Sequence, residues 1–339
     1  MKYSLGYQIR DDEHNTLKLA TEYSNDVYEV YFAWPGMSSG REPVGRNENG
    51  VAWGAQARIE TDLLGLKQNG TALNLLMNAS CFGDHAISLH LEREIRSLLD
   101  YLEERIGGID SVTTLSPFVA RVVKKDRPEI AVRASVNMNV SGIESMKLLA
   151  DVFDGFYLPR ERQRNLEYVS HASKWCRENG KHLCMLVNSG CLYACPSHIF
   201  HINLVAHHAA ICDMKVPDDW NWRLCWTHYE QTRDPLSFLR STWIRPEDLG
   251  RYEKLIDVVK IASRQHYFPG WLLQAYSSRR WNGNMADLTE PGFSKLFLPL
   301  IIDNKRFPED WFRRTSTCTH QCHECDYCEK TLEKVYCAR

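Results

Sequence analysis

The run AVRASVNMNVSGIESMKLLADVFDGFYLPRERQRNLEYVSHASKWCRENGKHLCMLV, residues 131–187, holds three short β-rich stretches, Ala131–Val136, Gly155–Pro159 and His182–Val187. Each is brief and enriched in apolar, β-branched or aromatic residues, the pattern of a buried strand. The last gap, Glu161–Asn179, predicts a helix. Strands kept apart by helices cannot pair as tight hairpins; they pair in parallel through crossover connections. Runs of the same kind recur on either side, at Tyr3–Gln8, Val27–Ala33, Ala72–Asn78, Ser111–Ser116 and Asp257–Ser263. The segment Ala86–Ile106 places Ile87, Leu91, Ile95, Leu98, Leu99 and Leu102 at three-and-four spacing and predicts another helix. Eight strands alternating with helices predict an α/β fold, an eight-stranded parallel βα barrel over residues 1–270, followed by a cysteine-rich C-terminal extension over 271–339. In such a barrel the working groups are expected in the loops that follow strands. Two connections depart from the simple repeat, Trp34–Thr71 and Asn188–Ile256, and loops of that length are commonly functional.

Hydrophobic residues make up 44% and charged residues 25% of the 339, a balance that supports a sizeable core and argues against disorder. With 41 Lys+Arg against 43 Asp+Glu, the net charge of -2 demands neither nucleic acid nor an acidic membrane as partner. The opening MKYSLGYQIRDDEH meets charges before any apolar run, and no later stretch approaches the roughly 18 apolar residues of a membrane span. A cytoplasmic protein without a membrane span is the expectation. In a reducing compartment 12 cysteines read as metal ligands or redox groups rather than as disulfides.

Two groups of cysteines stand out. The stretch LVNSGCLYACPSHIFH, residues 186–201, sets Cys191 and Cys195 just beyond the seventh strand, in a turn opened by Gly190. Cys225, in the same long connection, offers a third thiolate, and Cys81, after the third strand, a fourth; Cys212 competes for that fourth place. These are read as ligands of a 4Fe–4S cluster in the barrel loop, against the plainer reading of buried thiols that fits Cys176 and Cys184. The tail CTHQCHECDYCEK carries Cys318, Cys322, Cys325 and Cys328, a four-thiol set that suits a second 4Fe–4S cluster or a structural zinc. Its first three cysteines imitate the CxxxCxxC pattern of radical-SAM enzymes, but that motif normally follows the first barrel strand. Beside the barrel cysteines, Arg160 and Glu161 end the sixth strand, where they would meet substrate or pair to brace the loop. Of His198, His201, His207 and His208, His201 is taken as a candidate general acid or base.

Three stretches, residues 132–169, 182–195 and 241–264, resemble the collagenase-like peptidase family U-thirty-two. The matching elements are Tyr157–Glu161, the cysteine-bearing turn at Cys191 and the Pro-Glu-Asp-Leu helix start at Pro246–Leu249. The opening MKYSLG is also similar to that of the family's accessory proteins for oxygen-independent ubiquinone hydroxylation. The resemblance implies a barrel with a 4Fe–4S cluster on four cysteines and hydroxylation of tRNA, ribosomal RNA or a quinone precursor without molecular oxygen; peptidase is the older label. Position matches Cys191 to the family's turn cysteine, while Cys195 and Cys225 fill the loop of its further ligands. Departures are that Ser-Gly precedes Cys191 directly, that Cys184 is a loose counterpart of an earlier ligand, and that only Ser38, Ser39 and Arg41 follow the second strand, where quinone-type members carry cysteine. The tail motif is additional. Three function classes result: an iron–sulfur oxidoreductase of hydroxylation type acting on a small molecule or RNA base, a non-enzymatic electron-transfer or scaffold protein with a protein partner or electron donor, and a peptidase.

Overall fold

Eight parallel strands close on themselves: β1 (Lys2–Gly6), β2 (Val27–Phe32), β3 (Ala72–Met77), β4 (Ser111–Thr114), β5 (Ala131–Ala134), β6 (Gly155–Tyr157), β7 (His182–Leu186) and β8 (Val258–Lys260). The computed structural model describes residues 1–40, 46–47, 50–51, 53–207 and 221–338. Each strand pairs with its sequence neighbour, and β8 returns to β1 with Lys2, Tyr3 and Ser4 opposite Val258, Val259 and Lys260. The alternation of strands and helices thus yields the barrel expected of it.

Local chemistry sets the helix limits. The helix expected from Ala86 begins at Leu89, because Ser88 Oγ accepts the Leu91 amide at 3.1 Å and so caps it; Ile87 is left 83% exposed. The helix expected over Glu161–Asn179 splits into a single turn, Arg160–Arg162, and the helix Leu166–Glu178, which starts where Asn165 Oδ1 accepts the Tyr168 amide. The connection Trp34–Thr71 contains an unforeseen helix, Trp53–Gln68, that buries Ile59, Leu63 and Leu66 against the core. The connection after β7 carries the helices His198–Ala206, Leu224–Thr232 and Leu236–Leu239 and a turn from Pro246 to Tyr252. Beyond β8, the helix Pro269–Ser278 runs across residue 270. The last strand, Tyr336–Ala338, pairs antiparallel with Leu300–Ile302, and Trp311 and Val335 join the same hydrophobic core as the barrel. No described helix is long and apolar enough to cross a membrane.

Inside the barrel an ionic cluster lies beside a small apolar group formed by Tyr157, Cys184 and Val258. Glu29 on β2 receives Arg133 Nη1 from β5 at 2.6 Å, Ser4 Oγ from β1 at 2.6 Å and Asn74 Nδ2 from β3 at 3.1 Å; Thr113 on β4 donates to Asn74 Oδ1. Burial pushes the Glu29 carboxyl up, yet the Arg133 charge and these three donors outweigh it and hold Glu29 below its usual range. Lys260, at the end of β8, completes the cluster toward the barrel mouth, its Nζ 3.8 Å from the ring centre of Tyr31.

Candidate functional site

The turn after β7 is fastened before it reaches its cysteines. Asn188 donates to the carbonyls of Ala262 and Leu288 and accepts the Ala262 amide, while its own carbonyl takes the Glu290 amide. Gly190 has no side chain for reasons of space: a Cβ there would lie 2.3 Å from the Pro291 carbonyl oxygen. The segment 288–291 therefore backs the turn, and Ala194 within it takes φ +45°, a left-handed conformation that alanine rarely adopts.

This framing holds Cys191 and Cys195 on one turn, with Cys225 facing the same cavity as Cys191. Burial raises the Cys195 thiol, with Cys191 adding to the shift, and burial pushes Cys225 up to about 12, with Cys191 and then Cys195 adding to it. Cys81 is not among them; its sulfur accepts the Gly83 amide in the turn after β3. Cys212 lies outside the described residues, as do Arg41 and His208. Among the described residues no three His, Cys, Asp or Glu side chains stand close enough to hold a metal ion as they are. The donor chemistry suits a soft metal centre, whereas the spacing of the free thiols would have to tighten around it. Cys176 and Cys184 are buried free thiols, both pushed up to about 12 by burial.

Two cavities meet at Cys191 and His201, which line both. The larger, about 630 Å³, also takes in Cys225, Trp222, Trp226 and His266. The smaller, about 100 Å³, is the barrel mouth, bounded by Asn78, Asn137, Arg160, His198, Lys260, Arg264 and Glu290. Arg160 donates to Asn137 Oδ1 at 2.7 Å and sits 3.4 Å from His198 Nε2; burial, then this guanidinium, lowers the His198 ring below its ordinary pKa, with Glu161 opposing. His201 packs its ring on Trp222. Glu161 separates from Arg160: it faces a third cavity, about 640 Å³, between the Arg160–Arg162 turn and residues 315–320 of the tail.

That third cavity is where the tail reaches the cysteine turn. Tyr193, between Cys191 and Cys195, stacks on His320 with ring centres 3.6 Å apart. Cys328, in the helix Tyr327–Val335, is pushed up to about 11 by burial, opposed by Arg164 and reinforced by Cys318 and Cys322. Cys318, Cys322 and Cys328 thus share a neighbourhood, while Cys325 is exposed and acts on Lys330.

Sequence reasoning passed over two features. Lys260 counted only as part of an apolar run, although a lone lysine in VVKIA is a strand residue that must point to something. The stretch GMSSG, residues 36–40, fits the GxSxG pattern of hydrolase nucleophile turns. Ser38 follows β2 on the rim, and Gly40, its amide on Asn78 Oδ1, lines the mouth; yet Ser38 lies six positions past the strand end at Phe32, not on a sharp strand-to-helix elbow.

No family model matches the chain. In sequence it is similar to the uncharacterized protease MJ1657 of Methanocaldococcus jannaschii, 28% identical over 281 residues that make up 79% of this chain and 78% of that protein. In structure it is similar to the U32 peptidase Mk0906, with a TM-score of 0.52 and 18% identity over 78% of this chain and 94% of that one, a likeness of fold. The two findings support a relationship to the U32 peptidases, the family that the motifs around Tyr157, Cys191 and Pro246 resemble.

Proposed function

From a relationship to the U32 peptidases, we propose that this chain is a cytoplasmic iron–sulfur protein that modifies a small molecule or an RNA base at its barrel mouth, by oxygen-independent hydroxylation or a related step. The observation that carries the reading is the grouping of Cys191, Cys195 and Cys225 on one loop beside two connected cavities. A buried thiol such as Cys225, pushed up first by burial and then by Cys191 and Cys195, is a poor nucleophile, and a bound cation is what would relieve that repulsion on deprotonation. These three would hold the cluster, with Cys81 or Cys212 as the fourth ligand. When bound, it would supply one-electron chemistry. The protein's own groups do the rest: Arg160 orients an anionic or amide-bearing substrate, His201 moves a proton where the cavities join, and the Trp222 and Trp226 walls exclude water. Glu161 acts from the tail side by positioning the cysteine turn. The tail cysteines form a second centre, iron–sulfur or zinc. Anaerobic purification followed by iron, sulfide and zinc analysis tests the reading: iron and acid-labile sulfide at cluster stoichiometry are expected, and their absence from protein assembled in iron-replete cells overturns it.

The names of the two relatives favour a second reading, a peptidase, and GMSSG is the feature of this chain that would serve it. Casein or gelatin cleavage lost in Ser38→Ala would establish that reading.

A further inference from the structure

Lys260 is 9% exposed and ends β8 with its side chain in the wall of the barrel mouth. Its Nζ lies 3.8 Å from the ring centre of Tyr31 and 5.4 Å from that of Tyr157, and among the described residues it makes no hydrogen bond or ion pair. The carboxylate that faces it, Glu29, is already taken by Arg133, Ser4 and Asn74. A buried lysine without its own counter-ion is uncommon, and such lysines recur where an amine works as a nucleophile. The groups around it come from several strands: Glu29 and Tyr31 on β2, Arg133 on β5, Tyr157 on β6, Cys184 on β7 and Arg264 just past β8. Burial lowers the ammonium to about 7, Glu29 opposes the shift, and Arg264 and Arg133 deepen it. The same mouth presents Arg160 and Arg264 beside the amine, with Glu290 as the acidic member of the wall.

We propose that Lys260 is a nucleophilic amine that condenses with the carbonyl group of a small keto or aldehydo acid, whose carboxylate lies against Arg160 and Arg264. The Nζ lone pair bonds to the carbonyl carbon; the oxygen takes up the two protons released by nitrogen and leaves as water, so that a C=N bond remains on the lysine. No oxidant or reductant is consumed. The step needs no cluster and is independent of the iron–sulfur reading. The small volume of the mouth, about 100 Å³, limits the ligand to a few carbon atoms.

Reductive trapping tests it on the full-length protein, with pyruvate and cyanoborohydride followed by peptide mapping. Lys260 should be labelled ahead of the exposed lysines, with a rate that rises through pH about 7 rather than through the ordinary lysine value of 10.5. Acetone, a neutral ketone of similar size, should label it roughly tenfold more slowly, the factor of one charge-assisted hydrogen bond. Lys260→Met should abolish the label, and its near-ultraviolet circular dichroism should match the wild type. Should that variant fail to fold, Arg160→Ala serves instead, with pyruvate labelling slowed toward the acetone rate and acetone labelling unchanged. Labelling of Lys260 no faster than that of surface lysines overturns the amine assignment. Equal rates for acetone and pyruvate overturn the assignment of an acid as ligand.

Discussion

Glu29 and Arg133 each stand alone among apolar neighbours in their strands, VYEVYF and AVRA, and the barrel brings them to 2.6 Å. An isolated charge in a buried strand is visible in a sequence; which opposite charge it meets depends on strand order, and so it is not. Removing one partner strands the other in a dry interior, and Arg133→Met is expected to cost about 3–5 kcal/mol in denaturant unfolding. Adding Glu29→Gln to Arg133→Met should recover part of that loss. Because the folded Glu29 carboxyl is held below its free value of 4.5, its contribution is complete above that pH and is lost as pH falls through the folded value. An unfolding midpoint that did not drop more steeply in acid for wild type than for Glu29→Gln would contradict this. The thiols separate in the same residue-by-residue way. Cys191→Ser, Cys195→Ser and Cys225→Ser should each lose iron when purified without air, since serine oxygen replaces a soft ligand poorly. Cys176→Ser, inside the helix Leu166–Glu178, should keep it. Cys191 and Cys195 were readable from the strand end they follow, but the helix Leu224–Thr232 that carries Cys225 to them was not.

Strands were more legible than helices in this chain. Seven of the eight barrel strands fall within the expected runs and β1 starts one residue earlier, at Lys2, because a parallel strand covered on both sides is mostly apolar even where it sends a charge such as Glu29 or Arg133 into the barrel. The helix Trp53–Gln68 escaped because Gly and polar residues surround it, although Ile59, Leu63 and Leu66 keep helical spacing. The tail is an element of mixed role. Its helix Tyr327–Val335 carries Cys328 and also buries Thr331 and Val335, so truncation would strip the core as well as the cysteines. Point changes are the sharper probe: Cys322→Ser should lower metal content by one centre and leave the barrel centre in place, measured as zinc and iron per chain. Loss of all metal would mean that the two cysteine groups share one site across the Tyr193–His320 stack. Gly190→Ala should fail differently. Its methyl group collides with the Pro291 carbonyl, so the segment 288–291 must shift, and limited proteolysis should then cut near Thr289 in the variant alone.

For the molecule as a whole, barrel closure and the placement of the rim were inferred from the count of strands, whereas the union of tail and barrel was not, since no local pattern records that Trp311 stacks on Trp243 or Tyr193 on His320. The seam of the barrel joins Tyr3 to Val259, strands synthesised at opposite ends of the barrel sequence. During synthesis β1 therefore leaves the ribosome long before the strand that will cover it, and the growing sheet keeps two open edges until β8 emerges. Until then Ser4 lacks one lateral neighbour, and a half-built cylinder offers its edges to any other nascent chain. The order of manufacture makes this a late-closing barrel, whose unfinished chains keep strand edges open until β8 arrives. Ribosome-bound chains stalled before residue 258 should be digested readily by protease, and chains long enough to expose the tail through Val335 should resist it.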